Sequence, residues 1–112
     1  MNRDLLRLRH ILDAAYEISS FMDGMTRDDL DRDRKLNLAV VHLLEIMGEA
    51  ANGISTEFHE RYPDIPWYAM IGMRNRLIHG YFDIDLDIVW TTTRDDIPEL
   101  IKRLERIVPK EE

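Results

Sequence analysis

The segment from Trp67 to Phe82, WYAMIGMRNRLIHGYF, has no Asp or Glu but holds Arg74, Arg76 and His79. If the chain does chemistry, it lies in this segment, whose cationic and titratable side chains are Arg74, Arg76 and His79. On a helical wheel of 100° per residue, Trp67, Met70, Ile71, Leu77, Ile78 and Tyr81 share one arc, and Arg74 falls near its centre. A guanidinium within an apolar stripe requires a partner or an anion, because it is almost never buried unpaired. A carboxylate such as Glu49 is one candidate partner, and a phosphate is another. Arg76 lies on the opposite side and reads as a solvated charge.

His79 follows Arg74 by five residues, about 140° around a helix of 3.6 residues per turn, so an undistorted helix does not bring both side chains to one phosphate. Two arrangements resolve this. Gly80 unwinds the helix at His79, or Arg74 of one subunit faces His79 of another across a two-fold axis. Tyr68, Gly72, Asn75 and His79 form a second stripe, where Gly72 permits close approach of another surface and the Asn75 amide is placed to hold the imidazole in one tautomer. Otherwise His79 is a helix C-terminal histidine favoured by the macrodipole.

The elements that would position these residues read as helices throughout. Leu5, Leu8, Leu12, Ala15, Tyr16, Ser19 and Met22 recur at three- and four-residue steps, and Gly24 closes that helix. Thr26 offers an N-cap backed by Asp28 and Asp29, leading into a long central helix through Leu36, Val40, Leu43, Met47, Ala50 and Ala51, with Gly53 near its end. Ser55 or Thr56 caps a short helix through Arg61. Pro63-Asp64-Ile65-Pro66 then restarts the chain, with Pro66 as an N1 residue of a helix from Trp67 to about His79. After Asp83-Ile84-Asp85-Leu86-Asp87 a last helical region runs past Pro98, which kinks it or marks a new start. The expected fold is an all-α, single-domain bundle of about five helices over residues 1–112.

Composition sets the limits. The chain has 112 residues, no cysteine, and 15 Lys+Arg against 22 Asp+Glu, for a net charge of −7. That excess repels polyanions, so loose nucleic-acid binding is disfavoured and any phosphate contact must be local. The absence of cysteine removes disulfides, thiolate catalysis and Cys-based zinc sites. The longest apolar run, Trp67 to Ile71, is far too short for a membrane span, and the expectation is a cytoplasmic protein with no membrane partner. His42, Glu45 and Glu49 share one side of the central helix, but His10 and His59 lie in other segments without ligand spacing, so no metal and no other cofactor is expected. The aspartates fit caps and turns and lack the spacing of a calcium loop.

RNRLIHGYF, preceded by Pro66-Trp67 and followed by the Asp-rich turn and Val89-Trp90, resembles the signature of the HepT-like HEPN ribonuclease toxins. LEIMGEAA, ending at Ala51, is similar to that family's Ile-Gly-Glu-Ala segment. Arg74 and His79 match the family's Arg-x4-His motif, Asn75 its following polar position, and Tyr81 its His-x-Tyr extension. The resemblance implies a homodimer with two motifs lining one cleft, and metal-independent endoribonuclease chemistry on RNA in a type VII-like toxin–antitoxin system. It implies catalytic roles for Arg74, His79 and Asn75; Glu49 and Arg76 are further candidates for supporting positions, from the residue pattern alone. An MntA-like nucleotidyltransferase antitoxin would AMPylate Tyr81. The alternative is a noncatalytic HEPN helper that supplies substrate-binding surface to a minimal nucleotidyltransferase.

Overall fold

Helix boundaries follow the capping residues. In the computed structural model, which describes residues 3–80 and 83–109, α1 spans Arg3–Met22 and ends at Gly24, whose φ of 74° is the left-handed conformation that glycine adopts without strain. Thr26 opens α2 (Arg27–Arg32) with a reciprocal capping box: its hydroxyl accepts from the Asp29 amide at 3.1 Å, and its own amide donates to the Asp29 carboxylate at 2.9 Å. The central helix does not run on from there. Asp33 leaves helical geometry (φ −86°, ψ 98°), closes α2 through its own N–H and caps α3 (Arg34–Gly53) by accepting from the Leu36 amide. The sequence pattern alone does not mark this break, because Leu30 is the one apolar residue between Thr26 and Leu36 and no periodicity defines a boundary there.

Ser55 caps α4 (Thr56–Arg61) as expected, and Pro66 precedes α5 (Trp67–His79). Asp85 caps α6 (Leu86–Thr91), accepting from the amides of Asp87 and Ile88. A π-helical turn, Thr92–Asp96, then joins α6 to α7 (Ile97–Glu105). Pro98 explains the wide turn: it has no N–H to donate, and its ring would collide with the carbonyl four residues back in a regular helix. The rod therefore continues past Pro98 through a bulge.

Among the described residues there is no strand. The shortest molecular extent is 20 Å, equal to two helix diameters, so the helices form two layers. α3 is central and packs most extensively on α5 and α1, while α7 closes against α1. Leu8, Ile11 and Ile18 of α1, Val40 and Met47 of α3, and Ile97 and Leu104 of the last rod are fully buried in one continuous core. No helix of the described residues is long and apolar enough to cross a membrane.

Candidate functional site

The contact of α3 with α5 is built around a glycine. A Cβ placed on Gly48 would lie 2.3 Å from the Cβ of Arg74 and 2.5 Å from the carbonyl oxygen of Met70. Only a residue without a side chain lets α5 come this close, and the stem of Arg74 is what lies against it. The next residue, Glu49, takes the head group: Glu49 Oε2 is 2.9 Å from Arg74 Nη2. Adjacent positions of the LEIMGEAA segment thus seat the aliphatic and the charged parts of one arginine.

Arg74 is only partly covered, with 29% of its side chain exposed against 70% for Glu49. Its Nη1 donates to Asn75 Oδ1 at 3.3 Å. Its Nε is buried and has no hydrogen-bond partner among the described residues. The arginine expected to need a partner has one, and a donor is left over.

Arg74 lines an open cleft of about 750 Å³ between α1, α3 and α5. Arg3, Arg7 and His10 face it from α1; His42, Glu45 and Glu49 face it from α3; Ile78 joins Arg74 from α5. The three arginines outnumber the two glutamates, so the cleft is locally cationic in a chain of net charge −7. Sequence reasoning missed the α1 contribution. The signal was present in the spacing of Arg3, Arg7 and His10, at i, i+4 and i+7 on one helical face. Gly53 completes the wall, since a Cβ there would meet Arg7 Nε at 2.6 Å.

His79 is exposed and still helical. The Gly80 amide donates to the Arg76 carbonyl at 2.9 Å, so the helix holds its register through His79 and does not unwind to bring the imidazole to Arg74. That removes one of the two arrangements. Asn75, also exposed, is engaged by Arg74, and no hydrogen bond between Asn75 and His79 occurs among the described residues. Arg76 is exposed and lines a separate small hollow with Asp83 and Asp85, away from the Arg74 cleft. Tyr81 lies outside the described residues. His42 Nδ1 is 3.7 Å from Glu45 Oε1, and no group of three His, Asp or Glu side chains among the described residues converges to hold a metal ion.

The family model for HepT-like ribonucleases matches residues 11–107, a span that includes Gly48, Glu49, Arg74 and His79. The chain belongs to the HepT-like ribonuclease family. Among its relatives is a protein from Thermococcus cleftensis that carries the ribonuclease HepT name, 38% identical over 100 residues, covering 89% of this chain and 91% of the relative. A protein from Caldanaerobacter subterraneus subsp. tengcongensis, named for RNase activity, is 38% identical over 104 residues, 93% of each chain. A third, from Methanocaldococcus jannaschii and likewise named for RNase activity, is 36% identical over 98 residues, 88% of this chain and 90% of that one. No solved structure matches the chain significantly. HepT-like membership places the protein among ribonucleases, and its all-α architecture agrees with that family's bundle.

Proposed function

We propose that this HepT-like chain is an endoribonuclease toxin that cleaves RNA by metal-independent transesterification at a cleft shared by two copies. The observation that carries the reading is the state of Arg74: seated by Gly48, held at its head by the exposed side chains of Glu49 and Asn75, with a buried Nε lacking an acceptor among the described residues. A phosphate entering the cleft can displace the Glu49 carboxylate and accept from the guanidinium. His79 moves the protons, taking one from the ribose 2′-OH or giving one to the departing 5′-oxygen. Arg74 offsets the charge that develops on the phosphate in flight. Asn75 holds the guanidinium from the side.

Two features support the shared cleft. α5 is regular through His79, so Arg74 and His79 of one chain stay on different sides of the helix. Leu6, Ile46 and Ile78 are exposed apolar side chains, and all three line the Arg74 cleft. A second copy covering these residues would bring its own His79 toward Arg74. Exposed apolar residues gathered in one place are characteristic of association surfaces.

Control of the toxin falls to a nucleotidyltransferase antitoxin that transfers AMP to Tyr81. The phenolic oxygen attacks the α-phosphorus of ATP and pyrophosphate leaves. The added phosphate puts negative charge and bulk two residues from His79, where RNA must approach.

Purified protein tests the reading. Arg74→Ala and His79→Ala should each lower RNA cleavage by about 10²-fold or more, DNA should resist for want of a 2′-hydroxyl, and EDTA should leave the rate unchanged. Full activity in either variant contradicts the assigned roles, loss of activity in EDTA contradicts metal independence, and intact RNA with the wild-type chain returns the helper reading. Mass spectrometry after incubation with the transferase and ATP should find AMP on Tyr81; protection without modification points to inhibition by complex formation.

A further inference from the structure

The outer face of α5 carries two features that neither the core nor the Arg74 cleft accounts for. Tyr68 is 70% exposed, the largest exposure among the big hydrophobic side chains of the described residues. Its ring is nevertheless seated. It meets the imidazole of His59 edge-on, with centroids 5.6 Å apart and planes at 80°. His59 is itself buried, stacked on Trp67 at 4.8 Å, with its Nε2–H donating to the Ala51 carbonyl at 2.9 Å. Tyr68 is therefore braced on one side while most of its surface stays open to solvent.

Gly72 is the second feature. A Cβ built there meets nothing within 4 Å among the described residues, so their packing does not require a glycine. Glycine in a helix interior costs about 1 kcal/mol relative to alanine, and no contact among the described residues offsets that cost. On the wheel Tyr68, Gly72, Asn75 and His79 lie within about 60° of one another, and Tyr68 is about 16 Å from His79 along the axis at 1.5 Å per residue. The segment from Trp67 to Gly80 has no carboxylate, so α5 itself does not repel a polyanion along this face, and its two arginines, Arg74 and Arg76, lie to either side of it.

We propose that this face is a track for an unpaired RNA strand, on which one base stacks against Tyr68 and the backbone passes over Gly72 toward His79. The proposal rests on the ribonuclease reading and adds the substrate class: a single-stranded segment whose bases are free to stack, with Tyr68 fixing a nucleotide a few positions from the cleaved bond. Stacking on an aromatic ring tolerates any base, so Tyr68 positions the strand without reading its sequence.

Binding of a 2′-O-methyl RNA oligonucleotide containing 2-aminopurine tests this, because such a strand cannot undergo transesterification. Wild-type protein should quench the 2-aminopurine fluorescence. Tyr68→Ala should abolish the quench and weaken binding by roughly 5- to 150-fold, the range for loss of one base–aromatic stack. Its salt dependence should not change, since Tyr68 neutralises no phosphate. Tyr68→Phe should restore both signals. Gly72→Leu should weaken binding without lowering the melting temperature. Equal affinity and quenching in Tyr68→Ala overturns the proposal, as does a change in self-association, followed by sedimentation, with RNA affinity unaltered. If the wild-type chain cleaves RNA while Tyr68→Ala binds as tightly, the track falls and the ribonuclease reading stands; if the wild-type chain neither binds nor cleaves RNA, both fall.

Discussion

Arg74 has its nitrogens in three different situations: Nη2 against Glu49, Nη1 against Asn75, and Nε buried without an acceptor. Most of what the site does follows from that asymmetry. The Glu49 carboxylate is largely exposed, so its ion pair is solvent-screened and contributes little to folding. In the proposed mechanism it is the resting partner that phosphate displaces from the guanidinium. Glu49→Gln should change unfolding free energy by less than about 1 kcal/mol in chemical denaturation, the scale of an exposed pair. The same variant should bind noncleavable RNA at least as tightly as wild type, since a competing anion is gone. A large loss of stability would show that the pair is a structural lock. The sequence singled out both partners, because an arginine in an apolar stripe demands an explanation. The orphaned Nε was not legible, since it depends on how closely two helices approach.

At the scale of the element, that approach is set by Gly48. Gly48→Ala places a methyl group against backbone as well as side chain, 2.5 Å from the Met70 carbonyl, and neither neighbour can turn away cheaply. The substitution should destabilise the fold by about 1–3 kcal/mol, the usual cost of overpacking, and should lower kcat/KM by moving Arg74. The denaturation midpoint and the cleavage rate of one preparation check both; an unchanged midpoint would mean that α3 and α5 are not held as closely as described. A second element-level contact joins α1 to α4. Asp4 accepts from the Ser55 hydroxyl at 2.7 Å and from its amide at 3.0 Å, while Ser55 Oγ caps Phe58. The hydrogen bond from the Ser55 side chain, aided by its amide and by Arg7, outweighs burial and lowers the Asp4 pKa below its ordinary 3.8. A lowered carboxylate pKa contributes stability that is present above about 3.8 and is lost as pH falls through the folded-state value. Asp4→Asn should therefore lower the melting temperature at neutral pH and flatten the acid limb of the stability curve. An acid limb identical to wild type would contradict that assignment. Capping residues made most helix boundaries legible: Thr26, Ser55 and Gly80 stand where the sequence placed them. The break at Asp33 was missed because a single aspartate closes one helix and caps the next, and Leu30 alone is too little apolar pattern to reveal a separate element. The π-helical turn was missed because Pro98 permits either a kink or a bulge, and packing of the last rod on the core decides between them.

For the whole molecule, charge and symmetry meet in one place. Without Arg74 and Arg76 the remaining residues carry −9, so phosphate is repelled over most of the surface, and the proposed function places its contact where Arg3, Arg7 and Arg74 line the cleft. Acidic balance and RNA chemistry are therefore compatible, provided that contact is confined. The sequence showed the imbalance and the carboxylate-free segment, but the α1 arginines join the cleft only through packing of α1 on α3. The central claim is that one active centre takes Arg74 from one copy and His79 from the other. Co-expressing Arg74→Ala and His79→Ala chains and assaying RNA cleavage tests it most directly. Each variant alone is inactive in both centres, whereas a mixed dimer with shared centres regenerates one intact centre. An equal mixture should recover about a quarter of wild-type activity, since half of its dimers are mixed and each of those has one working centre of two. Activity no higher than that of either variant alone would contradict the account and place both residues of each centre within a single chain.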